Sequence, residues 1–279
     1  MKLYTINTGL FKLDGGAMFG VVPKSLWKKT NPPDDNNMCS WAMRCLLIET
    51  NEKLILIDTG IGDKQSEKFF SHFHLHGEDN LIKSIEGHGF SKNDITDVIL
   101  THLHFDHCGG AITKNKNNYD LTFPNANYWT NKKHWEWANN PNQREKASFL
   151  KENFIPIQEK NRLCFLEEGI FCEGIKIKFF NGHTESQVIP FITINNQTIV
   201  FCADLLPSTG HIPLPYVMGY DIRPLTTLAE KEFFLNEAIE KNYILFLEHD
   251  YYSECCLIIK ENNKYTSGKK GKLTDFIHS

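Results

Sequence analysis

No stretch of this chain approaches membrane-spanning length, and Met1-Lys2-Leu3-Tyr4-Thr5-Ile6-Asn7 lacks the apolar centre of a signal peptide, so the cytoplasm is the expected compartment. Positive charge is not in excess either. The formal net charge of −4 offers no electrostatic footprint for nucleic acid or an anionic membrane, and neither is an expected partner. The C-x-x-C spacing is missing among the 8 cysteines, and Cys45, Cys164, Cys202 and Cys255 sit in apolar surroundings. Buried reduced thiols account for these better than disulfides do. Linkers, repeats and low-complexity segments are absent, so residues 1–279 read as a single domain. With 41% hydrophobic and 23% charged residues, the composition is that of an ordinary globular protein able to bury a sizeable core.

What the chain does have is Thr101-His102-Leu103-His104-Phe105-Asp106-His107, directly after the apolar run Val98-Ile99-Leu100. Borderline divalent cations take imidazole nitrogen and carboxylate oxygen, and ligands this dense exceed what one ion needs. A lone His-x-His reads as a surface loop; the full pattern does not. Three further segments repeat one grammar, an apolar β-branched run that ends on a potential ligand. Ile175–Phe180 leads to Gly182-His183, Thr198–Ala203 to Asp204, and Tyr243–Leu247 to Glu248-His249. Short apolar runs bounded by turn residues read as buried strands, and ligands just past strand ends can converge on one sheet edge.

Elsewhere, residues 1–60 read as strands with a Gly- and Pro-containing loop. Leu81, Ile82 and Ile85 predict a helix that stops at Gly87 and Gly89, before a strand over 97–100. Lys132 to Trp137 and Arg144 to Glu152 read as helical, separated by Asn139-Asn140-Pro141-Asn142, and Thr226 to Glu240 predicts a surface helix with one buried face. Lys264 to Lys272 reads as a solvated hairpin or turn. Cys108, before Gly109-Gly110, is either a ligand or a small packing residue, and the packing role is favoured because imidazoles already fill the ligand set. His72, His74 and His76 alternate in a segment without an acidic partner, which reads as a lid or interface rather than a second metal site. His88 and His134 read as structural or solvated, and His278 as a tail residue. His211, seven residues past Asp204, is the extra candidate for facing a substrate.

With His102, His104, Asp106, His107, His183, Asp204 and His249 in place, together with Asp58-Thr59-Gly60 after Leu54-Ile55-Leu56-Ile57, the chain resembles the metallo-β-lactamase-fold hydrolases from about residue 40 to residue 250. The resemblance implies an α/β fold, the four-layer αβ/βα sandwich. It implies two divalent metal ions, with zinc, iron and manganese all compatible with His and Asp donors. His102, His104 and His183 would hold one ion, Asp106, His107 and His249 the other, and Asp204 would bridge. A hydroxide shared by the ions would attack a carbonyl or phosphoryl centre, with Asp106 passing a proton to the leaving group. Asp58 would orient a ligand imidazole through its distal N–H, or else cap a strand-end turn.

The longer segments Leu13 to Lys24, Asp204 to Pro207, His211 to Pro215, Met218 to Asp221 and Asn140 to Ser148 resemble lactonases that open N-acyl-homoserine lactones, particularly the YtnP-like group. That implies a quorum-quenching lactonase acting on a small acyl lactone or ester, and a homodimer. An apolar channel lined by Met18, Phe19, Val21, Val22 and Trp27 with Ile212, Leu214, Tyr216 and Met218 would suit the acyl chain; ordinary core or a dimer contact is the competing reading. Aryl-esterase, organophosphate phosphotriesterase and glyoxalase II-like thioesterase activities are the alternatives among enzymes. A non-catalytic binding or regulatory protein is the alternative of another class, and the intact ligand set argues against it. Two departures stand out: Gly182-His183-Thr184-Glu185-Ser186 where many relatives have Gly-His-Thr-Pro-Gly, and Pro207 where some lactonases have Tyr.

Overall fold

Strand direction is what positions the ligand-bearing segments of this protein. A computed structural model describes residues 1–116 and 118–277; His278 lies outside them. The chain divides into two compact units, the first comprising residues 1–10, 43–167 and 186–188, the second residues 11–42, 168–185 and 189–279.

In the first unit the strands Leu54–Ile57, Asp97–Ile99, Asn127–Asn131 and Leu163–Leu166 lie side by side and parallel, with Ile57 opposite Ile99 and Ile99 opposite Trp129. Every residue of the first two strands is buried, as expected when both faces of a parallel sheet are covered. Because these strands run the same way, the segments after Ile57 and Ile99 leave the sheet at one edge. The expected helix forms over Leu81–Gly87, capped by the Asn80 side chain on the Lys83 N–H. Its Leu81 and Ile85 join Leu54, Leu56, Val98, Leu100 and Tyr128 in one core cluster.

Lys132–Asn139 is helical, but the helix expected over Arg144 to Glu152 is not there. Turns occupy this stretch, followed by a short 3₁₀ turn at Lys151–Asn153 and a helix at Ile155–Glu159. The cause is local: Asn142 Oδ1 accepts the N–H groups of Arg144 and Glu145 at 2.8 and 3.1 Å, offering the backbone an alternative to helix. The Ser148 carbonyl is then taken by the Phe105 N–H at 3.0 Å.

The sheet of the second unit runs Lys264–Gly271, Cys255–Glu261, Ile244–Phe246, Gln197–Phe201, Gln187–Ile194, Ile175–Phe180, Gly169–Cys172. Gln197–Phe201 and Ile244–Phe246 are parallel, with Phe201 opposite Phe246, so the chain departs towards Asp204 and towards His249 at the same edge. The basic C-terminal stretch is a hairpin strand, turned by Asn262 and Asn263 at φ 48° and 62°. Pro224–Glu240 is the expected surface helix. It opens on proline and buries Thr227, Lys231, Phe234, Leu235 and Ala238 at helical spacing. It ends at Asn242, φ 51°, with the Tyr243 N–H on the Ala238 carbonyl at 2.9 Å, the left-handed closure usually given to glycine. Among the described residues no helix is long and apolar enough to cross a membrane.

Candidate metal centre

In the first unit, the chain leaves Asp97–Ile99, passes His102 and His104, and turns into the four-residue helix Phe105–Cys108 that carries Asp106 and His107. The rings of His102 and His104 are 4.5 Å apart and those of His102 and His107 3.9 Å apart. The Asp106 Oδ2 lies 3.8 Å from His107 Nε2. Three buried imidazoles this close cannot all carry a proton's charge, so nitrogen lone pairs are concentrated here.

Asp58 organises two of them. It is fully buried, adopts φ 58° at the end of its strand, and accepts the Thr101 N–H on Oδ1 at 2.7 Å. Its Oδ2 accepts the Thr101 hydroxyl at 2.6 Å and His107 Nδ1–H at 3.1 Å. With the Thr101 hydroxyl proton spent on Asp58, the 3.1 Å contact between Thr101 Oγ1 and His102 Nδ1 has the imidazole as donor. Both rings thereby keep their lone pair on Nε2, the nitrogen suited to a metal. His104 is handled differently. Its Nε2 lies 3.5 Å from Glu145 Oε1, an electrostatic approach longer than a hydrogen bond. Glu145 is itself buried and anchored on Oε2 by Trp137 Nε1–H at 2.7 Å and Asn142 Nδ2–H at 2.6 Å.

Close packing supports the turn. A Cβ on Gly109 would sit 2.0 Å from the Ile61 carbonyl oxygen, and one on Gly110 2.2 Å from that of Thr59. Cys108 is buried against the Leu103 carbonyl, and burial pushes its thiol up to about 12, so it packs as a neutral group. His134 accepts the Leu103 N–H at 2.8 Å and braces the same segment from behind. His72 and His74 are exposed, His76 is bonded to the His74 carbonyl, and no possible metal-holding group among the described residues includes the three. His88 is exposed beside Tyr4.

In the second unit, Asp204 stands in a 3₁₀ turn just beyond Phe201, and its two oxygens face different imidazoles: Oδ2 lies 3.1 Å from His183 Nε2, Oδ1 3.1 Å from His249 Nε2. The distal nitrogens are also tied, His183 Nδ1 to Asp221 Oδ1 at 2.8 Å and His249 Nδ1 to the Ala42 carbonyl at 2.7 Å. Burial alone would lower the His183 imidazolium, but Asp204 and Asp221 outweigh it and hold its pKa up to about 10. A site that holds a proton this firmly is one where positive charge is strongly favoured. The departure at Glu185 is accommodated by an ion pair with Arg223 at 2.7 Å, and Arg223 also donates to the Asn181 carbonyl. Ser186 takes φ 50°, the region a glycine there would favour.

The expected substrate residues are not all alike. Met18, Phe19 and Trp27 are buried; Phe19 stacks on Trp27 at 5.3 Å and on His211 at 4.4 Å. Val21 points outward at 96% exposure. His211 is buried with Nε2 on the Met18 carbonyl and Nδ1 on the Ser208 hydroxyl, and burial pulls it down to about 3, a neutral ring at physiological pH. Leu214 and Tyr216 are half-buried, and Tyr216 and Met218 line a narrow cavity beside Asp204.

Glu145 and Asp221 were assigned no role from sequence, although both stand in segments that carried the lactonase resemblance. Asp221 is 38 residues from the histidine it holds and Glu145 is 41 from His104, so no spacing rule connects them. The donor set, with buried imidazoles among which the distal nitrogens of His107 and His183 meet carboxylate and that of His249 a carbonyl oxygen, fits a dinuclear metal site.

A family model, the metallo-beta-lactamase superfamily, matches residues 44–239, and the chain belongs to that superfamily. It is a metallo-hydrolase with the mixed α/β fold of the family, consistent with the αβ/βα sandwich. Its relatives include the N-acyl homoserine lactonase AiiA of Bacillus thuringiensis subsp. kurstaki, 30% identical over 119 residues, which is 39% of this chain and 43% of that protein. The chain thus matches less than half the length of this curated relative. A probable metal-dependent hydrolase from Staphylococcus aureus superposes with a TM-score of 0.89 at 29% identity, covering 97% of this chain and 96% of that one. AidC, a dizinc quorum-quenching lactonase solved with a product bound, superposes with a TM-score of 0.78 at 23% identity over 95% and 93% of the two chains, a likeness of fold.

Proposed function

We propose that this protein is a dinuclear metal-dependent lactonase that opens N-acyl-homoserine lactones. The observation that carries the reading is Asp204, a single carboxylate whose two oxygens each face a separate imidazole at 3.1 Å, the arrangement a bridging ligand needs. His102, His104 and His183 would hold one ion, Asp106, His107 and His249 the other, and Asp204 would serve both. Two divalent ions, when bound, acidify water and polarise an ester carbonyl.

The chain's own residues do the rest. Asp58 and Asp221 keep the imidazole tautomers of His107 and His183 that present nitrogen lone pairs to the site, and Glu145 faces the His104 ring. Asp106, buried on a helix of only four residues, would take the proton lost by the attacking water and pass it to the leaving alkoxide. Leu214, Tyr216 and Met218, in the segment that follows His211, are the apolar side chains we assign to the acyl chain. The lactonase relatives support the choice of ester over phosphoryl substrate.

The test is a set of initial rates on metal-loaded protein with a short- and a long-chain N-acyl-homoserine lactone, beside paraoxon and a p-nitrophenyl ester. A lactone kcat/KM at or above about 10⁴ M⁻¹s⁻¹ lies in the range of working enzymes and is the expected result. Negligible lactone opening with brisk ester or phosphotriester cleavage would move the function to a rival hydrolase class.

A further inference from the structure

Lys231 has no part in the chemistry above, yet it is among the most deeply buried side chains of the second unit. It sits one turn after Thr227 on the helix Pro224–Glu240, with 1% of its surface exposed. Its Nζ donates to the carbonyl oxygens of Pro213 at 3.0 Å and Tyr216 at 2.8 Å. Burial pulls this ammonium down to about 7, with Asp221 opposing. A methionine would fill the position without the desolvation cost, so the charge is explained by what it holds.

Two features show what that is. The ammonium lines a space of about 10 Å³, room for a single water, bounded by Asp204, His211, Tyr216, Met218 and Asp221, and its acceptors belong to the turn that packs over it. The other titratable groups around that cavity are Asp204, Asp221, His211 and Tyr216, of which Asp221 also grips His183. Thr227, on the same face of the helix, lies flush against Gly182, where a Cβ would come 2.3 Å from the Thr227 hydroxyl. The residues just before the helix bond the next segment, Arg223 N–H to the Gly182 carbonyl at 3.0 Å and Ile222 N–H to the His183 carbonyl at 3.2 Å. One helix face therefore seats His183 through its first turn and holds the 213–216 turn through its second.

We propose that Lys231 is a positioning residue, whose ammonium clamps the Pro213–Tyr216 turn to this helix and so sets the wall against which the acyl group of the substrate lies. The part that concerns substrate rests on the lactonase reading; the clamp itself does not. In the full-length, metal-loaded Lys231→Met variant, hydrogen–deuterium exchange at the amides of Leu214 and Tyr216–Met218 is expected to quicken about tenfold or more, as when a hydrogen-bonded clamp is lost. Metal content is expected to be unchanged. KM for a long-chain lactone is expected to rise about fivefold or more with kcat held within about twofold, the split that loss of ground-state binding produces.

Exchange at the parental rate would overturn the clamp, and parental exchange together with parental KM would overturn the whole proposal. Faster exchange with an unchanged KM would overturn its substrate part. If Lys231→Met is not recovered folded, Lys231→Gln keeps an NH₂ donor but loses the charge and the reach of the lysine that spans both carbonyls. Intermediate exchange is expected for it, and parental exchange would be equally fatal. A parent protein that turns over no lactone at all would defeat the functional reading while the exchange result still decides the clamp.

Discussion

Asp58→Asn separates the two jobs a buried carboxylate can have, capping a turn or setting a ligand's tautomer. Asparagine has the same shape and tolerates the left-handed φ of 58°. In the parent, Oδ1 takes the Thr101 N–H at 2.7 Å, while Oδ2 takes both the Thr101 hydroxyl at 2.6 Å and His107 Nδ1–H at 3.1 Å. The asparagine amide must place its NH₂ on one of these sides. The backbone N–H of Thr101 cannot turn away, whereas the hydroxyl can rotate and the imidazole can change tautomer, so the NH₂ goes to the His107 side. His107 then accepts at Nδ1 and carries its proton on Nε2, the nitrogen needed for a metal. A buried donor or acceptor mismatched in this way costs about 1–3 kcal/mol, and loss of an outer partner typically lowers metal affinity about 10–100-fold. Zinc competition against a calibrated chelator, with melting of the metal-free proteins run in parallel, measures both. A variant that binds zinc within about twofold of the parent would refute the tautomer argument and leave Asp58 as a turn cap.

His104→Ala is expected to abolish hydrolysis, a larger loss than the ~10–100-fold of an outer partner, while melting cooperatively, because Glu145 keeps its bonds from Trp137 and Asn142; full activity on a standard turnover assay would sink the metal mechanism. His183 carries a proton in the metal-free protein up to a pKa of about 10, above its ordinary 6.5. Its folded-state pKa is raised, so its stabilising contribution is fully present below pH 6.5 and is lost as pH rises through about 10. The metal-free protein should lose Tm across that window. Zinc binding at pH 8 should release this proton, seen as a calorimetric enthalpy that varies with the ionisation enthalpy of the buffer. A buffer-independent enthalpy would show that His183 was already neutral.

The pattern of apolar runs ending on His or Asp was legible because strand and ligand are neighbours in sequence. The strands Leu54–Ile57, Asp97–Ile99, Ile175–Phe180, Gln197–Phe201 and Ile244–Phe246 stand where those runs predicted them. Arg144 to Glu152 misled because its helix-forming residues follow Asn142, whose side-chain oxygen competes for their N–H groups. The same segment delivers Glu145 to His104, a role that a periodicity reading cannot detect. Met18, Phe19 and Trp27 show the complementary limit: an apolar loop sequence does not say whether its side chains face a ligand or one another, and here Phe19 and Trp27 stack.

By itself the sequence determined the half-site from His102 to His107, because six residues around one tight turn can place their side chains nowhere but close together. It also determined, through the seven-residue ligand pattern, the family. Tertiary structure alone decided which ring nitrogen His107 and His183 present, since Asp58 and Asp221 come from segments 49 and 38 residues away. It also decided that Asp204 faces two imidazoles. That depends on Gln197–Phe201 and Ile244–Phe246 running parallel, so that both strands release their chains at the same edge of the sheet; an antiparallel pair with the same residues would have sent Asp204 and His249 to opposite ends.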